Sequence, residues 1–186
     1  MIERAATQWC GCRRFVVARV SENPDLFPGV SSGFGAALNP AIIPLILNEA
    51  DGARSMSLKM PRQGEPVLMT GSKYLVPVIG LDCLNQPLGA STLFRWEYAR
   101  EQFGLHEGDI LSPDRLASIL FHPQGVCKDW RPEMKIIPYI NKVDAYEDRE
   151  SALMLAEALL KNANFPVHHV VWGSVKSGIS GQVASA

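Results

Sequence analysis

The chain has 186 residues, 47% hydrophobic and 20% charged, which is the balance of an ordinary globular domain long enough to bury a core without cross-links. Its 18 Lys and Arg against 19 Asp and Glu leave a formal net charge of −1, so neither a broad nucleic-acid-binding face nor an anionic-membrane surface is expected. Four cysteines (Cys10, Cys12, Cys83 and Cys127) are too few for a disulfide scaffold and show no CxxC zinc spacing. No apolar run of signal-peptide type follows Met1, and the longest uncharged stretch, residues 26–48, is broken by Pro28, Pro40 and Pro44. One cytoplasmic domain over residues 1–186 is therefore expected, with no membrane and no nucleic acid as partner.

In chain order, residues 15–20 are short and β-branched and predict a strand, followed by a loop rich in Pro, Gly and Ser. Residues 42–48 predict a second strand, running into Glu49-Ala50-Asp51-Gly52. Residues 53–73 are irregular, too long a loop to be idle in a small domain. Residues 74–80, apolar and closed by Gly80, predict a buried strand. A helix is predicted over 92–103 with Ser91 as its cap and Phe94, Tyr98 and Leu105 near one face. Another opens at Ser112-Pro113-Asp114-Arg115, with a Ser cap and Pro in the first position, and should stop before Pro123. Residues 136–140 predict a strand that ends in Asn141-Lys142-Val143-Asp144. Residues 149–162 predict a helix with Leu153, Ala156, Leu159 and Leu160 as its buried stripe. A last strand, 168–172, runs into Gly173-Ser174-Val175-Lys176. This alternation implies an α/β fold with a mostly parallel sheet between helices. Three strands would then end in polar tetrads at the carboxyl edge, where ligands bind in such sheets.

The tetrad Asn141-Lys142-Val143-Asp144 fits NKxD, a guanine-reading motif. Guanine offers two adjacent donors, N1–H and the N2 amine, and the Asp144 carboxylate can accept both. Asn141 can address the opposite base edge, and the stem of Lys142 can cover a base face. Ser174 and Lys176 stand where a second base loop would follow the next strand. Glu49 and Asp51 are the candidate Mg²⁺ ligands, an acid pair at a predicted strand end; an acidic turn is the plain alternative. No GxxxxGK[ST] phosphate loop occurs, and the glycine-rich residues 29–35 read as a turn. Cys10 and Cys12 read as an ordinary loop pair, and His106, His122, His168 and His169 as scattered residues.

Several blocks together resemble a known family. Glu49-Ala50-Asp51-Gly52-Ala53-Arg54, Leu58-Lys59-Met60-Pro61 and Glu65-Pro66-Val67 are similar to the EADG(S/A)R…LKxP…HEPV signature of YqeC-like accessory proteins of selenium-dependent molybdenum hydroxylases. Val78-Ile79-Gly80-Leu81-Asp82 with Pro87-Leu88, then Leu120-Phe121-His122-Pro123-Gln124-Gly125 with Lys128, and then Asn141 to Asp144, continue it in the same order. The resemblance implies a P-loop NTPase-like three-layer sandwich that binds Mg²⁺ with GTP or another NTP. It also implies a role in maturing a selenium-containing molybdenum cofactor, with a molybdopterin-type cofactor or selenium species and a hydroxylase client as partners. Arg54 and Lys59 would face an anionic ligand beside Glu65. Two features depart from the family: Gln63-Gly64 stands where a His is usual, and the first strand with its phosphate loop is missing. The second departure predicts no NTP hydrolysis by this chain. The alternatives are a non-enzymatic cofactor- or client-binding chaperone, and a thiol-based selenium carrier using Cys10 and Cys12.

Overall fold

The computed structural model describes residues 29–145, 149–162 and 164–185. The predicted strand at 15–20 and the pair Cys10 and Cys12 lie outside them. The described residues fall into two compact units. In the smaller, residues 29–48 with Leu68–Gly71, a short 3-10 helix Phe34–Ala37 is followed by a turn in which the Asn39 side chain accepts from the Ala41 N–H at 3.0 Å. Residues 42–48, predicted as a strand, form none. Pro44 supplies no N–H to a ladder, and Ile42 and Leu47 are 66% and 87% exposed rather than packed.

The larger unit holds eight strands and three helices among the described residues. The strands are Leu58–Lys59 (β1), Tyr74–Leu75 (β2), Val78–Gly80 (β3), Leu93–Phe94 (β4), Lys135–Ile136 (β5), Tyr139–Asn141 (β6), His169–Ser174 (β7) and Ile179–Ala184 (β8). The helices are Trp96–Phe103 (α1), Pro113–Phe121 (α2) and Glu150–Leu160 (α3). The main sheet has the order β3-β6-β7-β8, parallel except for the β7–β8 hairpin. Two parallel pairs, β1–β4 and β2–β5, complete a mixed α/β architecture. The parallel sheet expected from the sequence is thus present in part, with an antiparallel edge that was not expected.

The predicted strands 74–80 and 136–140 are each cut in two. Tyr74 pairs with Lys135 and Val78 with Tyr139, at the same offset, so Pro77 lies opposite Pro138. Neither proline has an N–H to donate, and the ladder resumes unshifted beyond them. The helix predicted from residue 92 begins at Trp96, because Leu93 and Phe94 pair with Leu58 and Lys59 instead. Ser91 therefore does not cap it; that position is Arg95, with a left-handed φ of 63°. The start of α2 is as predicted: Ser112 Oγ accepts from the Arg115 N–H at 3.3 Å, and Pro113 is the first helical residue.

Buried on α3 are Ala152, Leu155, Ala156, Ala158 and Leu159. Of the predicted stripe, Ala156 and Leu159 are buried and Leu160 packs partly buried against the core, whereas Leu153 is 40% exposed and Leu155 is the inward leucine of that turn. The helix packs against both α2 and β7. β8 was missed because its residues are mostly exposed and carry little apolar pattern. Its Gly181 is required: a Cβ there would sit 2.2 Å from the Trp172 indole. Phe121, Ile79, Leu81, Ile140, Leu155, Leu159 and Val170 lie in the core that ties α2 and α3 to the sheet.

The buried face of α3 can be tested by truncation. Leu155→Ala should cost ~2–4 kcal/mol in urea unfolding, and Leu153→Ala less than about 1 kcal/mol. The reverse order would contradict this placement of the two leucines.

Candidate functional site

Three parallel strands, β3, β6 and β7, deliver loops to the same edge of the sheet, the edge at which their carboxyl ends lie. The loop after β6 is a 3-10 turn, Val143–Ala145, anchored by buried Val143. The loop after β7 turns the β7–β8 hairpin, closed by a 2.9 Å bond from the Gly178 N–H to the Ser174 carbonyl. Between these loops lies an open pocket of about 600 Å³ lined by Asn141, Lys142, Asp144, Ala145, Ser174, Val175 and Lys176. The structure thus gathers five of the sequence-predicted site residues, Asn141, Lys142, Asp144, Ser174 and Lys176, into one cavity. A hydrogen bond from Ser174 holds the Asp144 carboxyl below its ordinary range, helped by Ser177 and the charge of Lys176. Ser174, itself buried, is fixed in turn by the Ser177 N–H at 3.2 Å.

Lys142 lines this pocket, but its ammonium points to the neighbouring strand end. Nζ donates at 2.8 Å to Asp82 Oδ2, just beyond β3, and at 2.8 Å to Ser57 Oγ, just before β1. The Ser57 hydroxyl donates to the other oxygen of Asp82. The Gly80 N–H holds the Ser57 carbonyl at 2.8 Å, and a Cβ on Gly80 would strike Asp82 and Ser57 at 2.4–2.7 Å. Lys142 reaches this position with a left-handed φ of 58°.

A second group lies on the segment that carries Arg54 and Lys59. The three ammonium protons of Lys59 are matched by three acceptors: Asp51, Glu65 at 3.1 Å and the Gly52 carbonyl at 2.9 Å. Glu65 is also held by Arg95 and by Arg62 at 3.0 Å. Burial opposes ionisation of Glu65, but the bonds from Arg95 and Lys59 outweigh it and keep its carboxyl well below the carboxylate range. Asp51 is shifted the other way, up, chiefly by burial. Around the Phe94 ring stand Arg95 at 4.7 Å, Arg54 at 5.2 Å and Lys59 at 5.8 Å from its centroid.

Of the two Mg²⁺ candidates, Asp51 is held by Lys59 and Glu49 is exposed. Among the described residues no group of three or more His, Cys, Asp or Glu is gathered. Burial pushes the thiols of Cys83 and Cys127 up to about 12, which does not suit thiolate chemistry there. Sequence reasoning passed over Ser57, Asp82 and Arg95. Asp82 was legible as the first acid after an apolar strand. Arg95 was not, because β4 is only two residues long and reads as the start of a helix. Among the described residues no helix is long and apolar enough to cross a membrane.

Comparison with known proteins gives one family. The family model described as YqeC protein matches residues 3–97, just over half of the chain. A curated relative from Escherichia coli (strain K12), described as uncharacterized protein YqeC, is 27% identical over 132 residues, which are 71% of this chain and 50% of that protein. The chain therefore spans about half the length of this relative. No solved structure matches.

The pairing of Glu65 gives stability a definite pH dependence. Its folded pKa lies below the ordinary 4.5, so its contribution is complete above that value and is lost progressively as pH falls from there towards the depressed folded pKa. Glu65→Gln should cost ~2 kcal/mol at pH 7 in urea unfolding, and the gap to wild type should narrow clearly by about pH 3.5. A gap that is the same at both pH values would contradict the pairing.

Proposed function

The chain belongs to the YqeC family, and on that premise we propose that it binds a guanine nucleotide between the loops after β6 and β7. We place this binding in the maturation of selenium-dependent molybdenum hydroxylases. The observation that carries the proposal is the pocket formed by Asn141, Lys142, Asp144, Ser174 and Lys176, with the Asp144 carboxylate hydrogen-bonded by Ser174. An ionised carboxylate at a strand end accepts the N1–H and N2 amine of guanine together. Adenine lacks that donor pair and gains neither bond, so guanine is preferred. Asn141 reads the other edge of the base. Lys142, with its ammonium engaged by Asp82 and Ser57, presents its stem to the pocket and adds no free charge there. Lys176, exposed at the rim, supplies the remaining positive charge.

The role in cofactor maturation, with a molybdopterin-type cofactor or a selenium species and a hydroxylase client as partners, is supported by the ordered sequence blocks that resemble YqeC-like accessory proteins. The 186 residues contain no GxxxxGK[ST]. The proposal is therefore binding, and nucleotide turnover is not part of it.

Calorimetry with GDP and ADP tests the base pocket. Wild type should prefer GDP, and Asp144→Ala should lose at least ~10-fold in GDP affinity with its urea midpoint unchanged. Equal GDP affinity in the two proteins would overturn the assignment. For the maturation role, loss of the gene should leave the hydroxylase synthesised but depleted of selenium by elemental analysis. A full selenium content would contradict that role.

A further inference from the structure

The base pocket leaves one group at the same edge of the fold unexplained. Residues 53–56 form a tight turn closed by a 3.0 Å bond from the Met56 N–H to the Ala53 carbonyl. Its two central residues, Arg54 and Ser55, are both left-handed, with φ of 50° and 64°. That is the pattern of a type I′ turn, which Gly and Asn favour and which a side chain strains. Strain of this kind persists where the surroundings over-determine it, often at ligand clamps.

The charges around the turn are unevenly matched. Lys59, Arg62 and Arg95 are paired with Asp51 and Glu65, and Lys142 with Asp82. Among the described residues no carboxylate pairs with Arg54, which is exposed and touches the Phe94 ring alongside Arg95 and Lys59. Three cations around one ring repel one another unless anions lie between them. Glu65 lies between Arg95 and Lys59, and among the described residues no carboxylate does this for Arg54. A planar guanidinium with its donors free suits a phosphate, which it can grip in a bidentate pair.

The place in the fold suits the same ligand. Two strand spacings separate β7 from β3, ~10 Å, and Ser57 lies beyond, joined to the base loop through Lys142. Arg54 precedes Ser57 by three residues. The way from the base pocket to Arg54 runs past the ends of β6 and β3 and along the Lys142 tie to Ser57.

We propose that the 53–56 turn, through the Arg54 guanidinium, receives the phosphates of the bound nucleotide. This rests on the guanine-pocket reading and names the other end of the same ligand. Lys59 is then a strut that shapes the site, because all its protons are already engaged.

Arg54→Gly tests it cleanly, since glycine accepts the left-handed turn and the variant keeps its fold, checked by a urea midpoint equal to or above that of wild type. Calorimetry with guanosine, GMP, GDP and inorganic pyrophosphate should show wild type binding GDP at least ~10-fold more tightly than guanosine. In Arg54→Gly that preference should fall to about threefold or less, with guanosine affinity unchanged and pyrophosphate binding lost. If guanosine binds and the variant keeps its preference for GDP, the phosphate clamp is overturned while the guanine pocket stands. If guanosine does not bind but pyrophosphate binds wild type and not the variant, the clamp stands and the guanine pocket falls. Pyrophosphate binding equally to both proteins, or neither GDP nor pyrophosphate binding wild type, overturns the clamp.

Discussion

The ammonium of Lys142 is the tie on which the carboxyl edge of this fold depends. It joins the loop after β6 to Asp82 after β3 and to Ser57 before β1, partners 60 and 85 residues away in sequence. Each strand end would otherwise be a short independent loop. A left-handed φ at a lysine costs roughly 1–2 kcal/mol, and two charge-assisted bonds offset that cost. Gly80 makes the geometry possible, because any side chain there would occupy the space that Ser57 and Asp82 need. With Lys142 fixed, the residues on either side of it, Asn141 and Asp144, face a pocket of settled shape.

The ionic groups divide into those that build and those left open. Asp51, Lys59, Glu65, Arg62 and Arg95 engage one another and hold a segment with only two residues of strand in place. Half-buried pairs of this kind specify geometry more than they add stability. Asp144 and Arg54 belong to the second kind. One is an exposed carboxylate whose hydrogen bonds come from serine hydroxyls; the other is an exposed guanidinium without a carboxylate. Their signs are opposite, as the two ends of a nucleotide require.

What could be read from the sequence was what local chemistry decides. Ser112-Pro113 marks a helix start because an Oγ acceptor and a preset φ act within one turn. Asn141 to Asp144 could be placed at a strand end because the apolar run before it stops abruptly. What could not be read depended on distant partners. Leu93 and Phe94 extend as β4 only because Leu58 and Lys59 lie beside them. The break at Pro77 was visible as a proline, but its alignment with Pro138 was not. On α3 Leu153 alone was misplaced, because leucine content does not report how the helix is turned between α2 and β7. The destination of the Lys142 ammonium was hidden for the same reason: motif spacing fixes where a residue sits along the chain, and the chain 60 residues away decides what it touches.

The account is tested most directly by guanosine affinity in Asp82→Ala, measured by calorimetry. Asp82 does not line the pocket, and guanosine carries no phosphate whose charge the change would affect. If the Lys142 tie orders the base loop, the variant should bind guanosine about fivefold or more weakly, near 1 kcal/mol, with Asp144 and Ser174 untouched. Unchanged guanosine affinity in a folded variant would contradict the account.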